Sequence, residues 1–146
     1  MRTRNILVEI ICLLFIILWV YAGMNKMMDN EFGTQLHRSP YLDKVADLIE
    51  LALPVGELFI ALLLIVPRTK LIGLYASFFT MFIFTGYIYA MLKYSFYKPC
   101  SCGGILAKMD WNTHLYFNIA FTVLAAVGIL LWQKPSQEPV ANVALS

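Results

Sequence analysis

The sequence predicts an all-α integral membrane protein, a bundle of four transmembrane helices. Of its 146 residues, 60% are hydrophobic and 14% are charged, and the mean hydropathy is +0.72. Soluble domains carry about a quarter charged residues, so this chain is too apolar to cover itself with polar surface in water. Four separate stretches are each apolar over the roughly 20 residues that a helix needs to cross a bilayer.

The first stretch, residues 5–23, also resembles a signal peptide, because two arginines precede an apolar run. Val20-Tyr21-Ala22 lacks the small residues of a cleavage site, so we expect the helix to be retained. The other spans are expected at 45–66, 71–92 and 114–132. Residues 1–134 then form the membrane domain, and 135–146 form a short C-terminal tail.

The basic residues that flank the spans indicate an orientation. One side carries a dense set with few acids, consisting of Arg2, Arg4, Arg68, Lys70 and Lys134. The opposite side carries lysines and arginine spread over two long loops and mixed with acids. We therefore expect both termini inside and the long loops outside. Cys100 and Cys102 lie in the second long loop and would face outwards.

Four acidic residues and one proline recur on one face of the second helix at steps of three and four, namely Asp43, Asp47, Glu50, Pro54 and Glu57. Glu57 lies well inside the span. A carboxylate at that depth usually faces the bundle interior and has a partner. Two interpretations stay open: Glu57 relays protons or lines a polar cavity, or it packs against a neighbouring helix through a hydrogen bond.

The fourth span opens with a second set of polar residues on one face. Asp110 can cap the helix, and Trp111, His114, Asn118 and Ala125 follow at helical spacing. His114 and Asn118 are therefore expected to face the same neighbours.

The segment Lys98-Pro99-Cys100-Ser101-Cys102-Gly103-Gly104 precedes that span. A disulfide across one intervening residue would be strained and easily reduced, as in redox-active pairs. Metal binding by the two thiolates with His114 or His37 is a second interpretation, although no full ligand set is visible and we assign no metal site. A structural disulfide or two inert thiols is the third. Cys12, in the first span, is expected to be a buried small hydrophobe.

Several of these residues together resemble a known family. The specific part is Cys100-Ser101-Cys102-Gly103-Gly104 followed by Trp111, His114, Phe117 and Asn118; further matches are Gln35, Ser39-Pro40, Pro54, Glu57 and Gly73-Leu74-Tyr75. On these residues the chain resembles the methylamine-utilisation MauE family, within the broader DoxX-like set of four-helix membrane proteins. The resemblance extends from about Asn5 to Trp132.

The resemblance implies a redox-associated protein of the bacterial inner membrane, with its cysteine loop on the periplasmic side. It implies maturation of disulfide-rich periplasmic enzymes beside a thioredoxin-like partner, and electron exchange with membrane quinone. Cys100, Cys102 and His114 would then be catalytic, and Trp111, Asn118 and Glu57 would form a quinone or proton site. No nucleotide, haem or flavin motif is visible, and nothing in the chain points to methylamine itself.

Two other function classes fit the sequence. A small proton-coupled transporter, working as an oligomer, would use Glu57 or Glu9 as its coupling carboxylate. A non-catalytic scaffold would dock a thioredoxin-like protein without exchanging electrons. Nucleic acid is excluded as a partner, because clusters of lysine and arginine with interleaved aromatics are absent.

Overall fold

The computed structural model describes residues 2–28, 31–38, 42–94 and 110–132, and nearly all of them are helical. In chain order the helices are α1 (Arg2–Met28), α2 (Glu31–His37), α3 (Ala46–Ile65), α4 (Lys70–Tyr94) and α5 (Trp111–Leu131), with one 3₁₀ turn (Asp43–Val45) leading into α3. Four of them, α1, α3, α4 and α5, are long and apolar enough to cross a membrane. The predicted all-α membrane bundle is confirmed.

Two features differ from the sequence-based expectation. The first span was expected to end at residue 23, whereas α1 continues to Met28 and carries Lys26 in its last turn. The sequence analysis assigned no helix to the first long loop before Ser39-Pro40, and the structure places the seven-residue helix α2 there. The predicted tail, 135–146, lies outside the described residues.

The four long helices form a ring in the order α1, α3, α4, α5, with consecutive helices running in opposite directions. The most extensive contacts join α1 to α3 and α4 to α5, so the bundle consists of two helical hairpins. We call one end the long-loop end: there α1 and α4 finish, and α3 and α5 begin. At the opposite, short-loop end, residues 66–69 connect α3 to α4.

Aromatic side chains fill the centre of the bundle. Phe15 and Trp19 of α1 are completely buried, with Phe121 of α5 packed edge-on against Phe15 and Phe84 of α4 packed against Trp19. The indole Nε1–H of Trp19 donates a hydrogen bond of 2.9 Å to Ser77 Oγ on α4. This bond satisfies a buried donor and ties the two hairpins together.

At the short-loop end, an ion pair forms a second contact between the two hairpins. Lys70, the first residue of α4, donates to both carboxylate oxygens of Glu9 on α1, at 2.5 and 2.7 Å. The Glu9 side chain is 61% exposed. This carboxylate therefore belongs to the end of the bundle and not to its interior.

Candidate functional site

Glu57 is the most deeply buried charged residue of the membrane-spanning helices in the described part of the chain. It lies midway along α3 and is 1% exposed. Its Oε1 accepts a hydrogen bond of 2.7 Å from Nζ of Lys26, whose side chain is 7% exposed. Glu57 thus faces the bundle interior and has a partner on a neighbouring helix, as the sequence predicts, and that partner is a lysine.

A glycine on α1 brings the two charges together. A Cβ atom on Gly23 would lie 3.0 Å from Leu58 Cγ and 3.2 Å from the Pro54 carbonyl oxygen. Both distances are shorter than most Cβ contacts in proteins, so the missing side chain at residue 23 favours the close approach of α1 and α3. Lys26 lies one helical turn further along α1 and therefore reaches Glu57.

The polar residues predicted on α5 lie beside this ion pair. His114 is 8% exposed and Asn118 is 3% exposed, and both face the interior with Ala125. Helix α1, which carries Lys26, is in direct contact with α5. Asn118 Nδ2 donates a hydrogen bond of 2.9 Å to the His114 carbonyl oxygen, which stiffens the first turns of α5.

The start of α5 is fixed by a cap and an aromatic contact. The Asp110 carboxylate accepts from the Asn112 backbone N–H at 3.3 Å, so the predicted N-cap is confirmed. The half-buried ring of Trp111 lies 6.3 Å from the His114 imidazole, measured between ring centroids. The Trp111 ring therefore lies next to the imidazole, tilted by 36°, at the start of α5.

We call Lys26, Glu57, His114 and Asn118 the interior polar group. It contains three sequence-predicted residues that all face the bundle interior: His114 and Asn118 in the first turns of α5, and Glu57 midway along α3, where it is paired with Lys26. Among the described residues, two buried side-chain polar atoms have no hydrogen-bond partner: Glu57 Oε2 and Nδ2 of Asn25 on α1. A buried acceptor of this kind is costly, and it is available to an incoming donor.

Chemically, the interior polar group offers a fixed positive charge, a carboxylate with one open oxygen and an imidazole. Such groups can hold a proton, bind a small polar ligand or orient a reacting group in a medium of low dielectric constant. An ionisable pair within a membrane span is also a common feature of substrate and proton pathways.

Cys100 and Cys102 lie outside the described residues. The topology nevertheless limits where their segment is attached. It joins the end of α4, at Tyr94, to Asp110 at the start of α5. Both attachment points belong to the long-loop end, where Lys26 and His114 of the interior polar group also lie.

Lys26 is the residue that sequence reasoning missed. It was assigned to the first outer loop because the apolar run weakens after Gly23. A signal was nonetheless present: the buried face of α1 recurs at steps of three and four, through Val8, Ile11, Cys12, Phe15, Trp19, Ala22 and Lys26. Continuing that periodicity past Gly23 would have placed Lys26 on the interior face.

Comparison with known proteins gives one match. The family model described as methylamine utilisation protein MauE matches residues 4–131, which is nearly the whole chain. No curated protein and no solved structure matches the chain.

Proposed function

Because the chain belongs to the MauE family of membrane proteins, we propose that it exchanges electrons between thiols and disulfides at the membrane surface. Its cysteines, Cys100 and Cys102, would form the exchanging pair, with His114 as the neighbouring base. The partner would be a thioredoxin-like protein on the periplasmic side of the inner membrane. This exchange would support the maturation of disulfide-containing periplasmic proteins.

One observation carries the proposal. The segment with both cysteines is attached to the start of α5, which carries the buried imidazole of His114 and packs against α1 with its buried Lys26. Cysteine reactivity depends on the thiolate, and positive charge and a proton acceptor both favour that form. A purely structural loop would not require ionisable groups in the adjoining bundle interior.

In the proposed exchange, electrons pass only between the cysteine pair and the partner's disulfide. One thiolate of the pair attacks a sulfur of the partner's disulfide, which forms a mixed disulfide and releases one partner thiolate. The second cysteine attacks the mixed bond, which releases the other partner thiolate and leaves a Cys100–Cys102 disulfide. Two electrons have then passed to the partner, and the reverse reaction uses the same intermediate.

Membrane quinone is the proposed electron carrier on the lipid side. Bound quinone would supply a two-electron, two-proton acceptor, which fits the exchange run in reverse. A partner dithiol would reduce the disulfide of the cysteine pair, and quinone would then reoxidise the resulting cysteine dithiol to the disulfide. Glu57 fits the reduced, quinol form of such a group, because its buried Oε2 has no donor among the described residues and can accept from a quinol hydroxyl. Trp111 offers a half-buried ring for stacking, and Asn118 shares the interior face with His114. These three residues would hold the headgroup, while Lys26 keeps the Glu57 carboxylate in place.

The experiment uses full-length protein in intact cells, in a Cys12→Ser background, so that only the pair can react. A membrane-impermeant maleimide is applied with and without prior mild reduction, and the added labels are counted by mass spectrometry. Labels that appear only after reduction would identify an accessible, labile disulfide outside the membrane. Labelling only in broken cells would contradict the proposed orientation.

Matched variants complete this test. A cysteine-free chain carrying Arg68→Cys reports the short-loop end, and we expect it to be labelled only in broken cells. Cys102→Ser should trap a mixed disulfide with the partner through Cys100, because the resolving thiol is missing. A Cys100→Ser variant that fully restores the defect of a deletion strain would refute the exchange mechanism.

The buried ion pair favours one alternative, a small proton-coupled transporter that works as an oligomer. Of the two carboxylates considered for it, Glu57 is interior, whereas Glu9 is exposed and paired with Lys70. Glu57→Gln separates the two functions. Loss of solute movement with unchanged cysteine labelling would support transport, and loss of partner trapping would support thiol exchange.

A further inference from the structure

His37, the last residue of α2, is surrounded by carboxylates from the start of the second span. Its Nε2 lies 3.0 Å from Asp47 Oδ1, and its Nδ1 lies 3.4 Å from Asp43 Oδ1. The imidazole therefore has an acid on each of its two nitrogens. The side chain is 45% exposed, so this arrangement lies on the surface and apart from the interior polar group.

Glu50 completes a convergent set with Asp47 and His37. One potential ligand atom from each of the three residues lies within 4.8 Å of the others. Asp47 and Glu50 are three residues apart on α3 and share a face. A Cβ atom on Gly33 would fall within 2.3 to 2.5 Å of the Glu50 carboxylate atoms, so the carboxylate packs against α2 in the space beside this glycine.

The charges around His37 are unbalanced. Three carboxylates, those of Asp43, Asp47 and Glu50, lie near one imidazole. Within the part of the chain that the structure describes, no lysine or arginine forms an ion pair with any of them: the lysine pairs are Lys26 with Glu57 and Lys70 with Glu9. A bound cation would offset this repulsion.

We propose that His37, Asp47 and Glu50 form a binding site for a divalent transition-metal ion, with Asp43 orienting the imidazole. Nε2, the nitrogen beside Asp47, would bind the metal. Nδ1–H would donate to Asp43. Metal-binding histidines almost always donate their second ring N–H to a carboxylate or carbonyl, so the Asp43 contact is the one that a ligating His37 requires.

The donor set indicates the class of metal. One imidazole nitrogen with two carboxylate oxygens suits zinc, manganese, cobalt or nickel, whereas calcium and magnesium sites consist of oxygen ligands. Ligands about 2.1 Å from a tetrahedral zinc ion lie about 3.4 Å apart. In the structure His37 Nε2 and Asp47 Oδ1 are 3.0 Å apart, and all three ligand atoms lie within 4.8 Å of one another. The exposed carboxylates would therefore have to rotate to close the set around the ion, and water would complete the coordination.

Binding there would link the first long loop to the second span. His37 belongs to α2, and the two acidic ligands belong to α3, so the ion would fasten α2 against α3 above the membrane surface. This site shares no residue with the cysteine pair or with the interior polar group. Its test is therefore independent of the proposed thiol exchange.

The test measures zinc binding to full-length protein in detergent, with Cys12, Cys100 and Cys102 replaced by serine to remove thiolate ligands. Zinc chloride is added by equilibrium dialysis, and bound metal is counted by elemental analysis. We expect one zinc per chain. His37→Gln should abolish stoichiometric binding, and Asp43→Asn should keep the site but weaken it about 10- to 100-fold.

Glu9→Gln is the matched control, because it removes an exposed carboxylate at the opposite end of the bundle and should leave zinc binding unchanged. Circular dichroism checks that each variant keeps its helices. The proposal is overturned if the cysteine-free protein binds no zinc or if His37→Gln binds it as before. Unchanged zinc affinity in Asp43→Asn would contradict the proposed role of Asp43 in orienting the imidazole.

A second measurement needs no substitution. Cobalt titrated into the protein with its cysteines intact should produce visible d–d absorption without a thiolate charge-transfer band. That result would support ligation by nitrogen and oxygen. A strong charge-transfer band at the first equivalent would assign the ion to the cysteines and overturn the proposal.

Discussion

Lys26 on α1 and Glu57 on α3 form an ion pair of 2.7 Å that is almost completely removed from solvent. Removing one partner of such a pair leaves an uncompensated charge in a medium of low dielectric constant. The pair also lies where α1, α3 and α5 meet, so its loss should affect both hairpins.

The first prediction concerns this pair. Lys26→Met should lower the free energy of unfolding by about 3 to 5 kcal/mol, because the Glu57 carboxylate stays buried without its partner. Adding Glu57→Gln to Lys26→Met should restore most of the lost free energy of unfolding. The measurement is a double-mutant cycle on detergent-solubilised protein. Glu9→Gln, which breaks an exposed pair with Lys70, should cost no more than about 1 kcal/mol. Additive effects of the two interior substitutions would contradict this prediction.

The second prediction concerns the close approach of α1 and α3. Gly23→Val should lower the free energy of unfolding by about 1 to 3 kcal/mol, because new methyl groups would collide with Leu58 and the Pro54 carbonyl. Gly86→Val is the control: it lies on a long helix, and a Cβ there would meet nothing within 4 Å. Thermal unfolding of both variants checks the difference. Equal loss of thermal stability in the two variants would mean that α1 and α3 can move apart at Gly23 without destabilising the protein.

The third prediction concerns the hydrogen bond between the hairpins. Ser77→Ala leaves the buried Trp19 N–H without its acceptor and should cost about 0.5 to 2 kcal/mol. The Trp19 fluorescence spectrum should shift in the folded protein, since its immediate surroundings change. Thr85→Ala is a suitable comparison, because Thr85 Oγ1 donates to Met81 O within its own helix at 2.7 Å. A Ser77→Ala protein with unchanged stability and spectrum would show that the bond contributes little.

The fourth prediction concerns the third cysteine. Cys12 is 1% exposed and packs in the core between helices. Its thiol should resist alkylation in the folded protein and react fully after denaturation, because a reagent cannot reach it. Mass spectrometry before and after denaturation provides the measurement. Rapid labelling of Cys12 in native membranes would show that α1 is not packed in the bundle as described.

The sequence predicted the parts of this fold that depend on periodicity and length. The four spans, the interior position of Glu57, the Asp110 cap and the shared face of His114 and Asn118 all follow from helical spacing and residue chemistry. Lys26 was assigned to a loop because hydropathy penalises a charge even when that charge has a partner. The partner lies 31 residues away, and single-sequence reasoning does not pair residues at that distance.

Helix α2 was missed for a different reason. At seven residues it is too short to be stable by its own propensity, and its conformation depends on packing against α3. Likewise, His37 carried no distinctive motif, because its acidic neighbours follow in the next helix. The grouping of His37 with Asp47 and Glu50 becomes visible only when the chain has folded back.

The division into two hairpins has a consequence for how the chain enters the membrane. Lys26 and Glu57 both belong to the first hairpin, so the lysine emerges from the ribosome first and its counter-ion follows within the next span. The two charges can neutralise each other before α4 and α5 are synthesised. The first hairpin can thus leave the translocon with its buried ion pair already formed, and the second hairpin completes the bundle through the Trp19–Ser77 hydrogen bond and the ion pair at the short-loop end.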